Sequence, residues 1–127
     1  MAKQDQKASA AVGRAGEHLA LAYLSLAGYI CTLCQIKDHD AYIQTDTQLL
    51  TLQVKTASKL YKTARSYAFH TPKKNVGVSD VFAFVAINLG AVVFRRGDEL
   101  TTVTTYVSTE EFMDESQSMQ KTFDSFK

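Results

Sequence analysis

The stretch "LLTLQVKTA", residues 49–57, alternates apolar and polar side chains with the two-residue period of a β-strand. Successive side chains of a strand point to opposite faces, so the pattern predicts one apolar face built from Leu50, Leu52 and Val54. Gln53 and Lys55 then leave the other face together, a few ångströms apart. An amide and an ammonium group side by side on a core strand raise the question of which residues stand near them.

An acidic residue is expected beside this pair. The segment "AYIQT", residues 41–45, predicts another strand, and the short turn "DTQ" at 46–48 predicts that the two strands form an antiparallel hairpin. A hairpin with this turn places Asp40 opposite about residue 54. The sequence therefore predicts that Asp40 lies beside Gln53 and Lys55.

A second acid is expected from a long helix near the N-terminus. The stretch "ASAAVGRAGEHLALAYLSLAG", residues 8–28, repeats apolar residues at steps of three and four, as an amphipathic helix does. Ser9 is the predicted N-cap and Gly28 the predicted C′ residue. Gly13 and Gly16 each cost about 1 kcal/mol of helix stability relative to alanine, which indicates that something packs or binds close to these turns. A helix packed on the hairpin would bring Glu17 to the same place as Asp40.

The remaining segments complete an α/β pattern. The predicted elements are a strand at 29–36, a short strand at 67–70 ended by Pro72, a strand at 79–87 buried on both faces, its hairpin partner at 91–96, extended chain at 101–107 and a short terminal helix at 108–120. We therefore predict a single α/β domain over residues 1–127. Within it, residues 1–8 are expected to be flexible and residues 109–127 to form an acidic C-terminal helix or tail.

Composition excludes some classes of protein. No apolar run reaches the roughly 18 residues that a membrane-spanning helix needs, and the N-terminus has no apolar core of a secretory signal. We therefore expect a cytoplasmic protein with no membrane partner. Cys31 and Cys34 lack a second pair of ligands at zinc-site spacing, so they are expected to be reduced thiols.

Charge is unevenly distributed although the net charge is only +1. Residues 51–80 hold six basic residues against Asp80 alone, whereas residues 97–127 hold seven acidic residues against two basic ones. A basic segment serves either as a solvated face or as a contact for a polyanion. The predicted phosphate contacts in this segment are Lys59, Lys62, Arg65, Lys73 and Lys74. Tyr61, Tyr67 and Phe69 are interleaved with them, as stacking residues or as core.

The order of these features resembles the PD-(D/E)xK nuclease superfamily. Residues 13–30, "GRAGEHLALAYLSLAGYI", resemble its first helix and strand, and residues 40–57, "DAYIQTDTQLLTLQVKTA", resemble its catalytic hairpin. Residues 79–96, "SDVFAFVAINLGAVVFRR", are similar to the following strand pair of resolvase-like and homing-endonuclease members. His39 stands where the family usually has proline, and Gln53 stands where a second acid is usual. Group I intron homing endonucleases with QxK and Holliday-junction resolvase-like nucleases are the most similar members.

The resemblance implies a restriction-endonuclease-like core, in which an N-terminal helix is followed by a mixed β-sheet with flanking helices. It also implies a Mg²⁺-dependent DNA endonuclease that hydrolyses phosphodiester bonds, with Mn²⁺ able to replace Mg²⁺. The implied metal ligands are Asp40, the Gln53 side-chain carbonyl, the Val54 backbone carbonyl and Glu17. Lys55 is implied to stand beside the attacking water. The implied substrate is duplex or branched DNA, and cleavage of both strands requires two sites, hence a homodimer or larger homo-oligomer.

Two other functions fit the sequence. Gln53 in place of an acid is compatible with a non-catalytic DNA-binding or accessory factor on the same fold. The acidic segment at 97–127 is compatible with a structural interaction domain that contacts a basic partner. His39 adjoins Asp40, and Asp80 is expected to brace a strand or the basic segment.

Overall fold

The computed structural model describes residues 2–36, 39–59 and 65–127. Its helices are α1 (Ala2–Leu26), α2 (Thr109–Met113) and α3 (Glu115–Asp124). Its strands are β1 (Ile30–Ile36), β2 (His39–Gln44), β3 (Leu49–Ala57), β4 (Ser66–His70), β5 (Val81–Ala86), β6 (Ala91–Arg96) and β7 (Thr104–Ser108). Short 3-10 helices cover Lys73–Asn75 and Gly97–Glu99. The segments 49–57 and 91–96 form strands with the predicted bounds.

The main sheet has five strands in the order β1-β2-β3-β5-β6. β3 and β5 are parallel, and the other neighbouring pairs are antiparallel, so the sheet is mixed. The other described strands, β4 and β7, form a separate antiparallel pair. The predicted α/β class, with an N-terminal helix before a mixed sheet, is confirmed.

The β2–β3 hairpin forms as its turn residues predict. Thr45 begins the turn, where its N–H and its hydroxyl both donate to the Gln48 carbonyl and its hydroxyl accepts the Gln48 N–H. Tyr42 pairs with Thr51, and Ala41 with Leu52. Continued by one residue, this register sets Asp40 opposite Gln53, one position from the predicted residue 54.

α1 ends as predicted but begins earlier. Gly28 has φ 98° and donates to the Ser25 carbonyl, while Tyr29 donates to the Leu24 carbonyl, which is the Schellman arrangement around a C′ glycine. The prediction of Ser9 as the N-cap is wrong, since the helix begins at Ala2. The residues before Ser9 include lysines and glutamines, which favour helix, and no glycine or proline that would stop it.

Two apolar clusters lie on opposite faces of the main sheet. The first contains Leu52 and Val54 of β3 and is covered by α1 and α3 through residues such as Leu24 and Phe123. The members of the second are Tyr67, Phe69, Phe82, Phe84, Ala86, Ala91, Val93, Leu100, Val107 and Phe112. β5 contributes to both clusters and is buried along its whole length, as its continuous apolar sequence predicts.

The C-terminal segment differs from the single helix that we predict at 108–120. Ser108 caps α2 by accepting the Glu111 N–H, and the chain then departs from helical geometry at Asp114 before α3 continues. The Glu111 carboxylate accepts both its hydrogen bonds from Arg95 Nη2 at 2.6 Å. This contact holds the first turn of α2 against β6. The helices α2 and α3 pack on different surfaces of the sheet.

Two further sequence predictions meet the structure here. The extended segment expected at 101–107 forms a strand only from Thr104, because a bend occupies residues 102 and 103. Cys31 and Cys34 are free thiols, as expected, and burial raises the pKa of Cys31 to about 11. Among the described residues, no helix combines the length and the apolar character that a membrane crossing requires.

Candidate active site

The edge of β3 toward β2 opens in the middle of the strand. β2 pairs with β3 from Leu49 to Leu52, whereas β5 pairs with the opposite edge from Leu52 to Ala57. Beyond Leu52, the backbone groups that point away from β5 therefore face this open edge. Because the N–H and C=O of one strand residue point to the same side, Val54 presents both groups there.

Asp40 occupies this opening. Its Oδ2 atom accepts the Val54 N–H at 2.7 Å, so the carboxylate replaces the strand partner that Val54 lacks on this side. The contact fixes the carboxylate beside the Val54 backbone, one residue from Lys55. Burial lowers the pKa of Lys55, and the negative charge of the nearby Asp40 partly opposes that shift. The predicted proximity of Asp40 to the end of β3 is thus present in the structure.

α1 reaches the same edge through a glycine. A Cβ atom at Gly16 would overlap the Thr56 side chain, so only glycine lets the helix lie this close to β3. Glu17 follows directly and faces the end of the strand. The contact with Thr56 accounts for Gly16, one of the two glycines in α1. It agrees with the close packing expected near these turns.

A cleft of about 530 Å³ lies between α1 and the end of β3. It brings together Glu17, Lys55 and Lys59, three of the residues singled out in the sequence. Its complete lining is Ser9, Val12, Gly13, Glu17, Val54, Lys55, Thr56, Ala57, Ser58, Lys59 and Ala68. Other cavities are larger, but this one brings Glu17 to Lys55, whereas Asp40 and Gln53 are not among its lining residues.

Lys55 is half-buried in the wall of the cleft. Burial lowers the pKa of its ammonium group from the ordinary 10.5, and the negative charge of Asp40 opposes that shift. Desolvation is the larger effect. A lysine with a lowered pKa releases its proton more readily, which is what a base acting on water needs.

Gln53 is more buried than a residue on an active-site rim. It is 8 % exposed and lies opposite Phe82 of β5, at the border of the second apolar cluster. Its Oε1 atom is buried and accepts no hydrogen bond from the described residues. A buried carbonyl oxygen without a donor is destabilising by roughly 1–3 kcal/mol unless water or a cation satisfies it.

The oxygen atoms at this edge of β3 are suitable ligands for a hard cation. Carboxylate, amide carbonyl and backbone carbonyl oxygens are ligands that Mg²⁺ accepts, and Asp40, Gln53 and Val54 offer one of each kind near the end of β3. Within the ranges that the structure describes, no group of three or more histidines, cysteines or acids is arranged for a metal. A metal site here would therefore depend on the neutral oxygens of Gln53 and Val54.

The predicted phosphate contacts do not form one cluster. Lys59 lines the cleft, and Arg65 is exposed before β4, where its carbonyl accepts the N–H and hydroxyl of Thr109. Lys73 and Lys74 are exposed in the 3-10 helix beyond the other end of β4. Lys62 and Tyr61 lie outside the described residues. Among the interleaved aromatics, Tyr67 and Phe69 are buried in the core.

Two residues next to the site make structural contacts. Asp80 Oδ2 accepts the N–H and the hydroxyl of Thr51, and the Thr51 hydroxyl accepts the Asp80 N–H, so this acid joins the starts of β3 and β5. His39 Nδ1 lies 2.9 Å from Ser79 Oγ. These contacts give Asp80 a structural role, as expected.

Sequence reasoning missed several residues that line the cleft. Gly13 and Ser9 stand one and two helical turns before Glu17, and Ala68 comes from β4. A four-residue spacing back from Glu17 is the signal that identifies the first two. Nothing local in the sequence indicates Ala68, because the approach of β4 to β3 is a tertiary contact.

The fold is similar to that of a solved protein structure. A solved bacterial homing endonuclease, I-Ssp6803I, has a TM-score of 0.66 to this chain, and the match covers 87 % of this chain and 93 % of that one. The two sequences are 11 % identical over the match, so the likeness establishes the fold. No family model and no curated protein sequence matches the chain.

Proposed function

We propose that this protein is a metal-dependent DNA endonuclease of the PD-(D/E)xK type, with its active site at the open edge of β3. The observation that carries the proposal is the bond from the Val54 N–H to Asp40 Oδ2, which holds a carboxylate one residue from Lys55. Val54 and Lys55 also line the cleft that Glu17 faces from α1. The fold likeness to a bacterial homing endonuclease supports the same reading.

The residues divide the chemistry between them. Asp40, Gln53 Oε1 and the Val54 carbonyl would hold Mg²⁺, with Glu17 contributing directly or through water. When bound, the ion supplies positive charge at the scissile phosphate and lowers the pKa of coordinated water. Asp40 keeps its position through Val54, so its carboxylate is oriented before substrate arrives.

Lys55 would act on the attacking water. As the water oxygen attacks phosphorus, its proton passes to the neutral amine of Lys55, and the bond from phosphorus to the leaving sugar oxygen breaks. The leaving oxygen takes a proton from solvent, so the reaction yields one phosphate end and one hydroxyl end. Lowering of the Lys55 pKa by burial increases the fraction of neutral amine at a given pH.

DNA is the substrate class that the cleft and its surroundings favour. Lys55 and Lys59 face the cleft, and lysines bind phosphates without reading base sequence. Cleavage of both strands of a duplex by one active site per chain requires two copies, so the proposal includes a homodimer or larger homo-oligomer. Duplex and branched substrates are both included.

The test is a cleavage assay on supercoiled plasmid and on a four-way junction, with Mg²⁺, with Mn²⁺ and with EDTA. We expect nicking or cutting that requires the metal and is lost in Lys55→Met, which keeps the length of the side chain. Lys121→Met, an exposed position on α3, is the matched control and should cut like the wild type. Equal cutting by both variants would contradict the role proposed for Lys55.

One observation favours a second candidate, a DNA-binding factor that does not cut. The described residues contain no cluster of three acids, histidines or cysteines, and Gln53 is neutral where a second acid would strengthen metal binding. Salt-dependent DNA binding without cleavage under any metal condition would support this candidate. Absence of DNA binding at low salt would exclude both.

A further inference from the structure

The second glycine of α1, Gly13, has no explanation within the fold. A Cβ placed at Gly13 meets no heavy atom of the described residues within 4 Å, whereas one at Gly16 would collide with Thr56. Glycine inside a helix is less stable than alanine by about 1 kcal/mol. Packing among the described residues therefore requires glycine at position 16 but not at position 13.

Gly13 faces the candidate active site. It lines the cleft together with Ser9 and Glu17, and residues spaced by four lie above one another on one face of a helix. The three span about 12 Å along the axis of α1, at 1.5 Å per residue. This face is opposite the Lys55 and Lys59 side of the cleft, so a chain lying in the cleft passes between them.

We infer that the Ser9–Gly13–Glu17 face of α1 is the wall against which the DNA backbone lies, and that Gly13 is the position of closest approach. The inference rests on the proposed function, because it names how that site takes its substrate. A glycine leaves the helix surface bare, so a sugar-phosphate strand can come closer to Glu17 and Lys55 than any side chain at residue 13 would allow. Ser9, one turn before Gly13, offers a hydroxyl donor to a phosphate next to the scissile one.

This placement makes Gly13 a positioning residue that contributes through the absence of a side chain. Its substitution should affect substrate approach without harming the fold. Misplacement of a substrate by about 1 Å can reduce rate by about a hundredfold. Substitution at Gly16 should do the reverse and damage the fold first.

The experiment compares four variants: Gly13→Ala, Gly13→Leu, Ala15→Leu and Ser9→Ala. Ala15 is exposed on the same stretch of α1 and does not line the cleft, so Ala15→Leu is the matched control for added bulk. Binding is measured by fluorescence anisotropy with a labelled duplex and Ca²⁺ in place of Mg²⁺, and cleavage by plasmid nicking with Mg²⁺. Thermal unfolding of each variant reports the fold.

We expect Gly13→Ala to raise Tm by a few degrees, and Gly13→Leu to weaken DNA binding at least about tenfold and cleavage about a hundredfold. Ala15→Leu should match the wild type, and Ser9→Ala should weaken binding by a few-fold without changing its salt dependence, because a neutral hydroxyl displaces no counterions. Wild-type affinity and rate in Gly13→Leu would overturn the inference and leave the proposed function intact. A lower Tm in Gly13→Ala would also overturn it, because the glycine would then serve the fold. A wild type that neither binds nor cuts DNA overturns the proposed function and this inference together.

Discussion

The Val54 backbone N–H and the Asp40 carboxylate are joined by a 2.7 Å hydrogen bond at the point where β2 stops pairing with β3. This carboxylate satisfies an edge N–H, and in the proposed function it also binds the metal ion. A substitution at Asp40 can separate its bond to Val54 from its proposed binding of the metal.

Asp40→Asn separates them. The amide oxygen can still accept the Val54 N–H, while the negative charge is removed. We expect a fold of nearly unchanged stability and a loss of cleavage of about 10³-fold or more, since a neutral amide binds Mg²⁺ more weakly and the charge stabilisation that the ion would supply at the reacting phosphate is lost. Asp40→Ala should in addition lower the free energy of unfolding by about 1–3 kcal/mol, because Val54 is left without an acceptor. Urea unfolding and plasmid nicking measure the two effects.

Asp80 provides the contrasting acid. It bonds to Thr51 through backbone and hydroxyl and does not line the cleft. Asp80→Ala should lower the free energy of unfolding by about 1 kcal/mol and leave the cleavage rate of the folded protein within about twofold. A large loss of cleavage rate at unchanged stability would instead assign Asp80 to the active site.

Gln53→Glu tests whether the buried amide is a metal ligand. A carboxylate at this 8 % exposed position is destabilising without a cation, so the variant should unfold at a lower temperature in EDTA. Mg²⁺ should restore stability, because an ion that binds only the folded state shifts unfolding by mass action. Thermal unfolding across a Mg²⁺ titration gives the result. A Tm insensitive to Mg²⁺ in this variant, beside an insensitive wild type, would remove Gln53 from the ligand set.

Gly16→Ala tests the packing of α1 on β3. The new methyl group meets Thr56, so the helix must shift outward, and overpacking of this kind costs about 1–3 kcal/mol. Thr56→Ala in the same chain should recover part of the loss, because it removes the Oγ1 and Cγ2 atoms that the methyl group meets. Recovery is measured as a double-mutant cycle in urea. Independent effects of the two substitutions would mean that the methyl group is accommodated elsewhere.

The lowered pKa of Lys55 predicts that the free energy of unfolding changes with pH in a definite direction. Its folded pKa lies below the ordinary 10.5, so the folded state binds fewer protons than the unfolded state between those two values. The free energy of unfolding therefore rises with pH across that window, relative to a chain without this group. Urea unfolding of wild type and Lys55→Met on the alkaline side should show the difference shrinking as pH increases. A constant difference would indicate an unshifted lysine.

Local pattern was sufficient for the parts of the fold that form between neighbours in sequence. The β2–β3 hairpin, the β5–β6 hairpin and the glycine end of α1 follow from alternation, turn residues and Gly28, each read within about ten residues. The approach of Asp40 to β3 follows from hairpin register in the same way. These are contacts whose partners are fixed by short turns.

Non-local pairing set the limit. β4 pairs with β7 through contacts such as Ser66 with Ser108, and no periodicity identifies partners that far apart. The burial of Gln53 depends on Phe82 from β5, so the exposed rim expected from alternation is instead the border of a second core. Lys59, Arg65 and Lys73 are separated in the folded chain for the same reason. The net charge of a segment does not indicate where its residues lie after folding.

The pairing irregularity in β1 has a consequence for the solubility of the folded chain. β1 is an outer strand of the main sheet, and its register with β2 shifts between Leu33 and Ile36. A regular outer strand offers an unbroken row of backbone donors and acceptors onto which another copy can add, the first step of fibril growth. A bulge bends the strand and interrupts that row. The irregularity therefore disfavours the addition of another strand at this edge of the sheet.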